Sequence, residues 1–226
     1  MVKIAPSLFA ANFANLAKDI AIIEAAGAEF LHIDVMDGRF VPNLSMGPQV
    51  LKSIRPLSKL IFDVHLMIVE PERFIDSFIK AGADYITIHY EATEKVEETI
   101  NYIKDAGIKA GLSIKPNTPP EAIEQFIEKL DMVLIMSIEP GFGGQPFIVE
   151  SLKKISKMNG LIKKHNPSCQ LEVDGGIDAD NVCEIVKAGC NVVVAGSAIF
   201  NAPDIYQAVE LFKKNVGGSR LAPPVI

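Results

Sequence analysis

The sequence predicts an α/β protein of the (β/α)8 TIM-barrel class, a single domain spanning 1–226, on three observations. Eight short apolar runs rich in β-branched residues recur about every 20 to 40 residues, the length of one βα unit. Segments with helical periodicity lie between them, and a polar residue sits at the C-terminal end of nearly every run. The 226-residue length is close to that of one such barrel. An open doubly wound sheet shares the alternation, but eight repeats with polar strand ends favour the closed form.

The runs are Lys3–Leu8, Phe30–Met36, Leu60–Met67, Tyr85–Tyr90, Lys109–Ile114, Met132–Ile138, Gln170–Val173 and Asn191–Ala195. Met132–Met136 is apolar throughout, as a parallel strand covered on both faces requires. Between the first two runs, Asn15 to Ala26 repeats its apolar residues every three or four positions and sets Lys18, Asp19 and Glu24 outward. Gly27, Gly82, Gly107 and Gly189 each close a helical segment before a strand, where a left-handed glycine satisfies the last helical carbonyls. Thr118-Pro119-Pro120-Glu121 reads as a cap followed by proline, and Val69-Glu70-Pro71-Glu72 as a similar entry. Pro203 to Asn215 supplies a closing helix against Met1–Leu8, and 217–226 an irregular tail.

A net charge of −6, with lysines scattered among acids, argues against nucleic acid or an anionic membrane as partner. Three cysteines without short paired spacing suit a reducing compartment and form no thiolate cluster. No signal peptide or transmembrane run is evident, so the expected location is cytoplasmic.

Strand C-termini of a parallel barrel converge on one mouth. There the sequence places Ser7; His32, Asp34 and Asp37; Asp63 and His65; His89 and Glu91; Ser113 and Lys115; Ser137 and Glu139; Glu172 and Asp174; and Ser197. In Phe30–Gly38, His32 and Asp34 are two apart and share a strand face. Burying both is costly unless they are paired or bind an ion. His32, Asp34, His65 and Asp174 make a mixed imidazole and carboxylate set suited to Zn²⁺, Mn²⁺ or Fe²⁺ rather than Ca²⁺. The structural alternative is that Asp63 orients a ring nitrogen or caps a loop, and that His89 is an ordinary hydrogen-bonding histidine. Three glycine-rich turns, Pro140–Gln145, Asp174–Asp178 and Ala195–Ala198, leave strands toward helices. Their exposed N–H groups could hold a phosphate without lysine or arginine, although glycine also serves simply to turn. Neither a Walker loop nor GxGxxG is present. Met36, Met67 and Met136 lie at strand ends, as packing residues or as water-excluding walls.

Seven stretches together resemble the ribulose-phosphate 3-epimerase family over essentially the whole chain: IAPSLFAANFANL at 4–16, LHIDVMDGRFVPNLSMGP at 31–48, DVHLMI at 63–68, ITIHYEA at 86–92, IMSIEPGFGGQPF at 135–147, LEVDGGI at 171–177 and VVAGSAIF at 193–200. The resemblance implies a (β/α)8 barrel that interconverts D-ribulose 5-phosphate and D-xylulose 5-phosphate with one divalent metal, Zn, Mn, Fe or Co. It implies that His32, Asp34, His65 and Asp174 ligate the metal and that Asp34 and Asp174 are the acid/base pair. Ser7 and His65 would contact the sugar. Gly141, Phe142, Gly143, Gly144, Gly175, Gly176, Gly196 and Ser197 would hold the substrate and its phosphate, with Met36, Met67 and Met136 as pocket wall. A homo-oligomer, dimer or hexamer, is implied as well. The family pattern has Asn or similar at Glu139, Lys or Ser at Pro146 and His or similar at Arg39; a carboxylate at 139 suits a phosphate loop only if it points away. Competing readings are a D-allulose-6-phosphate 3-epimerase, a decarboxylase, for which the DVMDG stretch lacks a lysine, and a non-catalytic sugar-phosphate binding protein.

Overall fold

The computed structural model describes residues 2–217. Its eight strands are β1 (Lys3–Pro6), β2 (Phe30–Met36), β3 (Ile61–Met67), β4 (Tyr85–His89), β5 (Lys109–Ile114), β6 (Met132–Met136), β7 (Gln170–Asp174) and β8 (Val192–Ala195). All pair in parallel in the order β1-β8-β7-β6-β5-β4-β3-β2. The sheet curls shut where β1 meets β2, through a parallel bridge between Ser7 and His32. The barrel seam therefore lies at two residues of the predicted site.

Helices α1 (Leu16–Ala25), α2 (Pro48–Ile54), α3 (Ile75–Ala81), α4 (Val96–Asp105), α5 (Ser151–His165), α6 (Val182–Lys187), α7 (Ser197–Phe200) and α8 (Ile205–Gly217) surround it. Strand period two sorts the side chains between two environments. Leu31, Ile33 and Val35, with Phe62, Val64 and Leu66, join the helix-packing core outside the barrel. Inside, Ala5, Phe30, Met132, Val192 and Val194 plug one end, and the polar side chains of β2, β3, β4 and β7 stack above that plug. Each fully buried branched or aromatic side chain contributes about 1.5–3 kcal/mol, so the apolar layers carry the cost of the polar one.

The four joint glycines all adopt positive φ, from 79° at Gly107 to 121° at Gly189. Four sequence expectations need correction. Asp19 does not face outward: it is buried, because the turn before α1 folds back and Asn12 N–H donates to its carboxylate at 3.0 Å. Thr118 caps no helix. Its hydroxyl donates to Glu91, and the segment starting at Pro120 is a ten-residue 3-10 helix, Pro120–Lys129, with Pro119 before it. The entry at Pro71 is likewise a short 3-10 turn, with Glu70 at φ 49°. Gly217 belongs to the end of α8 and not to the tail; α8 packs against α1, α6 and, as expected, β1, and the rest of the expected tail lies outside the described residues.

Gly111 on β5 turns into the barrel opposite Thr87 on β4. A Cβ there would overlap the Thr87 hydroxyl. Gly111→Ala is expected to cost about 1–3 kcal/mol in urea unfolding, and adding Thr87→Ala should recover part of that loss.

Candidate active site

Asp34 organises the mouth. Strand β2 brings its carboxylate inward, and Ser45 Oγ donates to its backbone carbonyl at 2.6 Å while accepting from Met36 N–H at 2.9 Å, which fixes the strand end. Asp34 Oδ2 accepts from Ser7 Oγ at 2.5 Å. Its Oδ1 faces His65 Nδ1 at 3.1 Å and His32 Nε2 at 3.3 Å. Burial works to raise the Asp34 carboxyl, but His32 and His65 outweigh it and hold it far below the usual carboxylate range.

The other nitrogen of His32, Nδ1, lies 2.6 Å from Asp63 Oδ2. An ionised carboxylate only accepts, so the hydrogen is on Nδ1 and Nε2 points into the site. Asp63 therefore orients the ring, one of the two roles open to it from sequence. His32 Nε2 is fully buried and has no hydrogen-bond partner among the described residues. Burial opposes charge on His32, yet Asp34 and Asp63 push its pKa well above the ordinary value. A position that attracts a proton this strongly also suits a cation.

Asp174 ends β7, and Ser137 pins that end: its N–H and hydroxyl donate to the Asp174 carbonyl at 2.8 and 2.9 Å, and the hydroxyl reaches the Gly175 carbonyl at 2.7 Å. Burial first, then the Asp34 charge, pushes the Asp174 carboxyl up to about 7, against the pull of His32. Two neighbouring carboxyls thus have opposite tendencies, one charged and one ready to carry a proton. One donor atom from each of His32, Asp34, His65 and Asp174 lies within 4.8 Å of the others. Two imidazole nitrogens, one of them the unpartnered His32 Nε2, and two carboxylate oxygens fit a divalent transition-metal ion. A second group, His32, Asp63 and Glu172, shares His32. Burial and Asp63 push the Glu172 carboxyl well above its usual pKa, and neither of its oxygens has a hydrogen-bond partner among the described residues.

A cleft of about 750 Å³ opens above these groups. Ser7, Asp34 and Asp174 line it with Met36, Met67, Met136, Gly141, Phe142, Gly143, Gly144, Gly175, Gly176, Gly196 and Ser197. His32 and His65 are fully buried beneath Asp34 and do not line the cleft. Glu139 is exposed and is not part of the cleft lining. Gly176 has φ 65°, and a Cβ there would meet the Phe147 backbone; only glycine permits this approach.

Three supporting contacts escaped the sequence reading. Asn181 Nδ2 donates to the Gly176 carbonyl at 2.8 Å while its Oδ1 accepts from Asp178 N–H, tying the glycine turn to the start of α6. Asn43 Nδ2 donates to the Gly141 carbonyl at 2.7 Å. Asparagines three residues after Asp178 and next to Pro42 were the available signals. His89, read as a polar strand end or an ordinary hydrogen-bonding histidine, and Glu91, read as a polar strand end, sit behind His65: the His65 and His89 Nε2 atoms are 2.8 Å apart, and His89 Nδ1 is 3.3 Å from Glu91 Oε2.

Burial tends to raise Glu91, but hydrogen bonds from His89, Thr118 and the Lys115 N–H outweigh it and hold the carboxyl at about 2. Because the folded value lies below the ordinary 4.5, the stabilisation is complete above pH 4.5 and disappears as pH falls toward 2. Glu91→Gln should therefore unfold more easily than the parent at neutral pH. In denaturant titrations repeated from pH 6 to 2, that difference should shrink across the same interval.

Fold and mouth together define a (β/α)8-barrel enzyme with paired carboxyls and two buried imidazoles at the strand C-termini. The match to the ribulose-phosphate 3-epimerase family model runs over residues 3–200. The chain is 46% identical over 212 residues to the chloroplastic ribulose-5-phosphate-3-epimerase of Arabidopsis thaliana, covering 93% of this chain and 75% of that protein. It is 45% identical to the ribulose-phosphate 3-epimerase of a Synechocystis strain, covering 92% and 91% respectively. Among solved structures, 3-hexulose-6-phosphate synthase from Salmonella typhimurium shares the fold, with a TM-score of 0.70 at 18% identity over 96% of this chain and 99% of that one. The chain belongs to the ribulose-phosphate 3-epimerase family and is an isomerase of the epimerase type. Among the described residues, no helix is long and apolar enough to cross a membrane.

Proposed function

We propose that the protein interconverts D-ribulose 5-phosphate and D-xylulose 5-phosphate by moving a proton at C3 between two carboxyls, through an ene-diolate. The observation that carries this reading is the pair Asp34 and Asp174, brought within 4.8 Å of each other at the mouth from the non-neighbouring strands β2 and β7, one held toward its charged form and the other pushed up to about 7. Epimerisation needs a base on one face of C3 and an acid on the other, and this is the asymmetry the pair provides. In one direction Asp34 removes the proton and protonated Asp174 returns one to the opposite face. The reverse reaction exchanges the roles.

His32, Asp34, His65 and Asp174 would hold one divalent metal ion, Zn, Mn, Fe or Co. When bound, such an ion supplies positive charge beside the ketone and hydroxyl oxygens where negative charge develops. The remaining work belongs to the chain. Ser7 holds Asp34 Oδ2 and so sets the plane of the carboxylate. Met36, Met67 and Met136 give the reacting carbon apolar walls, which keep water from protonating the intermediate. The turns at Gly141–Gly144 and Gly175–Gly176, with Gly196 and Ser197, would take the phosphate through backbone N–H groups. Family resemblance further supports a homo-oligomer, dimer or hexamer, and a cytoplasmic setting.

Removing either proton carrier should stop the reaction without emptying the cleft. Asp34→Asn and Asp174→Asn are each expected to lower kcat by at least about a thousandfold, within the range of general acid–base contributions, in an assay coupled to xylulose 5-phosphate. An Asp174→Asn enzyme with the parent rate would eliminate the two-carboxyl scheme.

A further inference from the structure

Behind the cleft floor, a line of polar groups runs from Asp34 to the outer rim. His65 Nδ1 faces Asp34 Oδ1 at 3.1 Å, and His65 Nε2 faces His89 Nε2 at 2.8 Å. His89 Nδ1 faces Glu91 Oε2 at 3.3 Å. The other Glu91 oxygen accepts from Lys115 N–H at 2.8 Å and from the Thr118 hydroxyl. Both rings are fully buried, and Phe40 lies against His89 at 4.8 Å between ring centres. No solvent route is needed to satisfy them.

The direction of the hydrogens follows from the far end. A carboxylate only accepts, so a neutral His89 places its hydrogen on Nδ1 toward Glu91 and leaves Nε2 as an acceptor. Two Nε2 atoms at 2.8 Å share one hydrogen, which must then be on His65. His65 is left with its lone pair on Nδ1, opposite the Asp34 oxygen that also faces His32 Nε2. Acceptors this close are compatible only with positive charge between them. The reverse tautomer would set a His89 lone pair against the Glu91 carboxylate.

We propose that His89 and Glu91 are positioning residues that fix His65 in the tautomer presenting Nδ1 to the cation. The assignment rests on the metal reading of the proposed function and adds to it the donor atom and the groups that choose it. Glu91 sets the His89 ring, His89 accepts the His65 Nε2–H, and His65 Nδ1 is thereby aimed into the site. Neither residue touches substrate.

Long-range proton–nitrogen NMR on histidine-labelled, Zn²⁺-loaded protein reads this arrangement directly. The expected spectrum has His65 bound through Nδ1 with a hydrogen on Nε2, and His89 with its hydrogen on Nδ1; zinc bound through His65 Nε2 would overturn the proposal. His89→Phe should weaken Zn²⁺ binding by about 10- to 100-fold in competition with a chromophoric chelator, and should alter the visible spectrum of the Co²⁺-loaded protein. His89→Gln keeps an acceptor and should restore most of the affinity. Parent affinity and an unchanged Co²⁺ spectrum in His89→Phe would overturn the assignment while leaving the metal site intact. A parent protein that retains no divalent ion would overturn both, which separates the two failures, and the parent NMR spectrum decides the matter if the variant does not fold.

Discussion

A single buried carboxylate sets the terms for the rest of the mouth. Asp34 has little access to water, and a buried charge survives only when its lone pairs meet donors or positive charge. Ser7, just after β1, donates to one of its oxygens, and ring nitrogens of His32 and His65 stand 3.3 and 3.1 Å from the other, where a proton or cation has room between them. Because Ser7 and His32 also form the bridge that closes the sheet, the barrel seam is built from residues that contact the Asp34 carboxylate. Opening the seam would separate Asp34 from its hydroxyl donor, so barrel closure and active-site geometry are one constraint.

That constraint propagates through the barrel interior. Asp63 takes the Nδ1–H of His32, and the buried Glu172, its carboxyl pushed up by burial and by Asp63, lies 3.6 Å from the same nitrogen. The apolar plug of Phe30, Met132 and Val192 carries the polar layers without competing for their hydrogen bonds. Above, methionines and glycine turns line the cleft. Charge is concentrated on Asp34, relieved on Asp174, and balanced by ring nitrogens whose outer partners are themselves fixed. The proposed chemistry at a weak carbon acid would draw on this ordering, because groups set in advance need no rearrangement as charge develops.

Much of this was legible in the sequence because it depends on local pattern. Continuous apolar runs such as Met132–Met136 mark strands covered on both faces, and the strand ends fall within two residues of expectation. The spacing of His32 and Asp34 places both on one face before any partner is known. Contacts created by chain reversal or strand register were not legible. Asp19 looks exposed on a helical wheel, yet Asn12 returns to it. Thr118 has the sequence of a cap but is captured by Glu91 from another loop. His89 acquires its position behind His65 from the β3–β4 register, which pairs His65 with Thr87, and nothing within ITIHYEA specifies that offset. Cation binding was suggested by residue types, but the nitrogen that each ring is proposed to present could be argued only from the positions of Asp63 and Glu91.

Proton traffic at C3 is the most direct measure of the account. NMR of ribulose 5-phosphate in deuterated water should show xylulose 5-phosphate forming with deuterium at C3. Exchange should stop when the protein is stripped with a strong chelator and return when a divalent ion is restored. Full activity in verified metal-free protein would contradict the cation-assisted site, and xylulose 5-phosphate that retained the original C3 proton throughout would contradict the two opposed carboxyls.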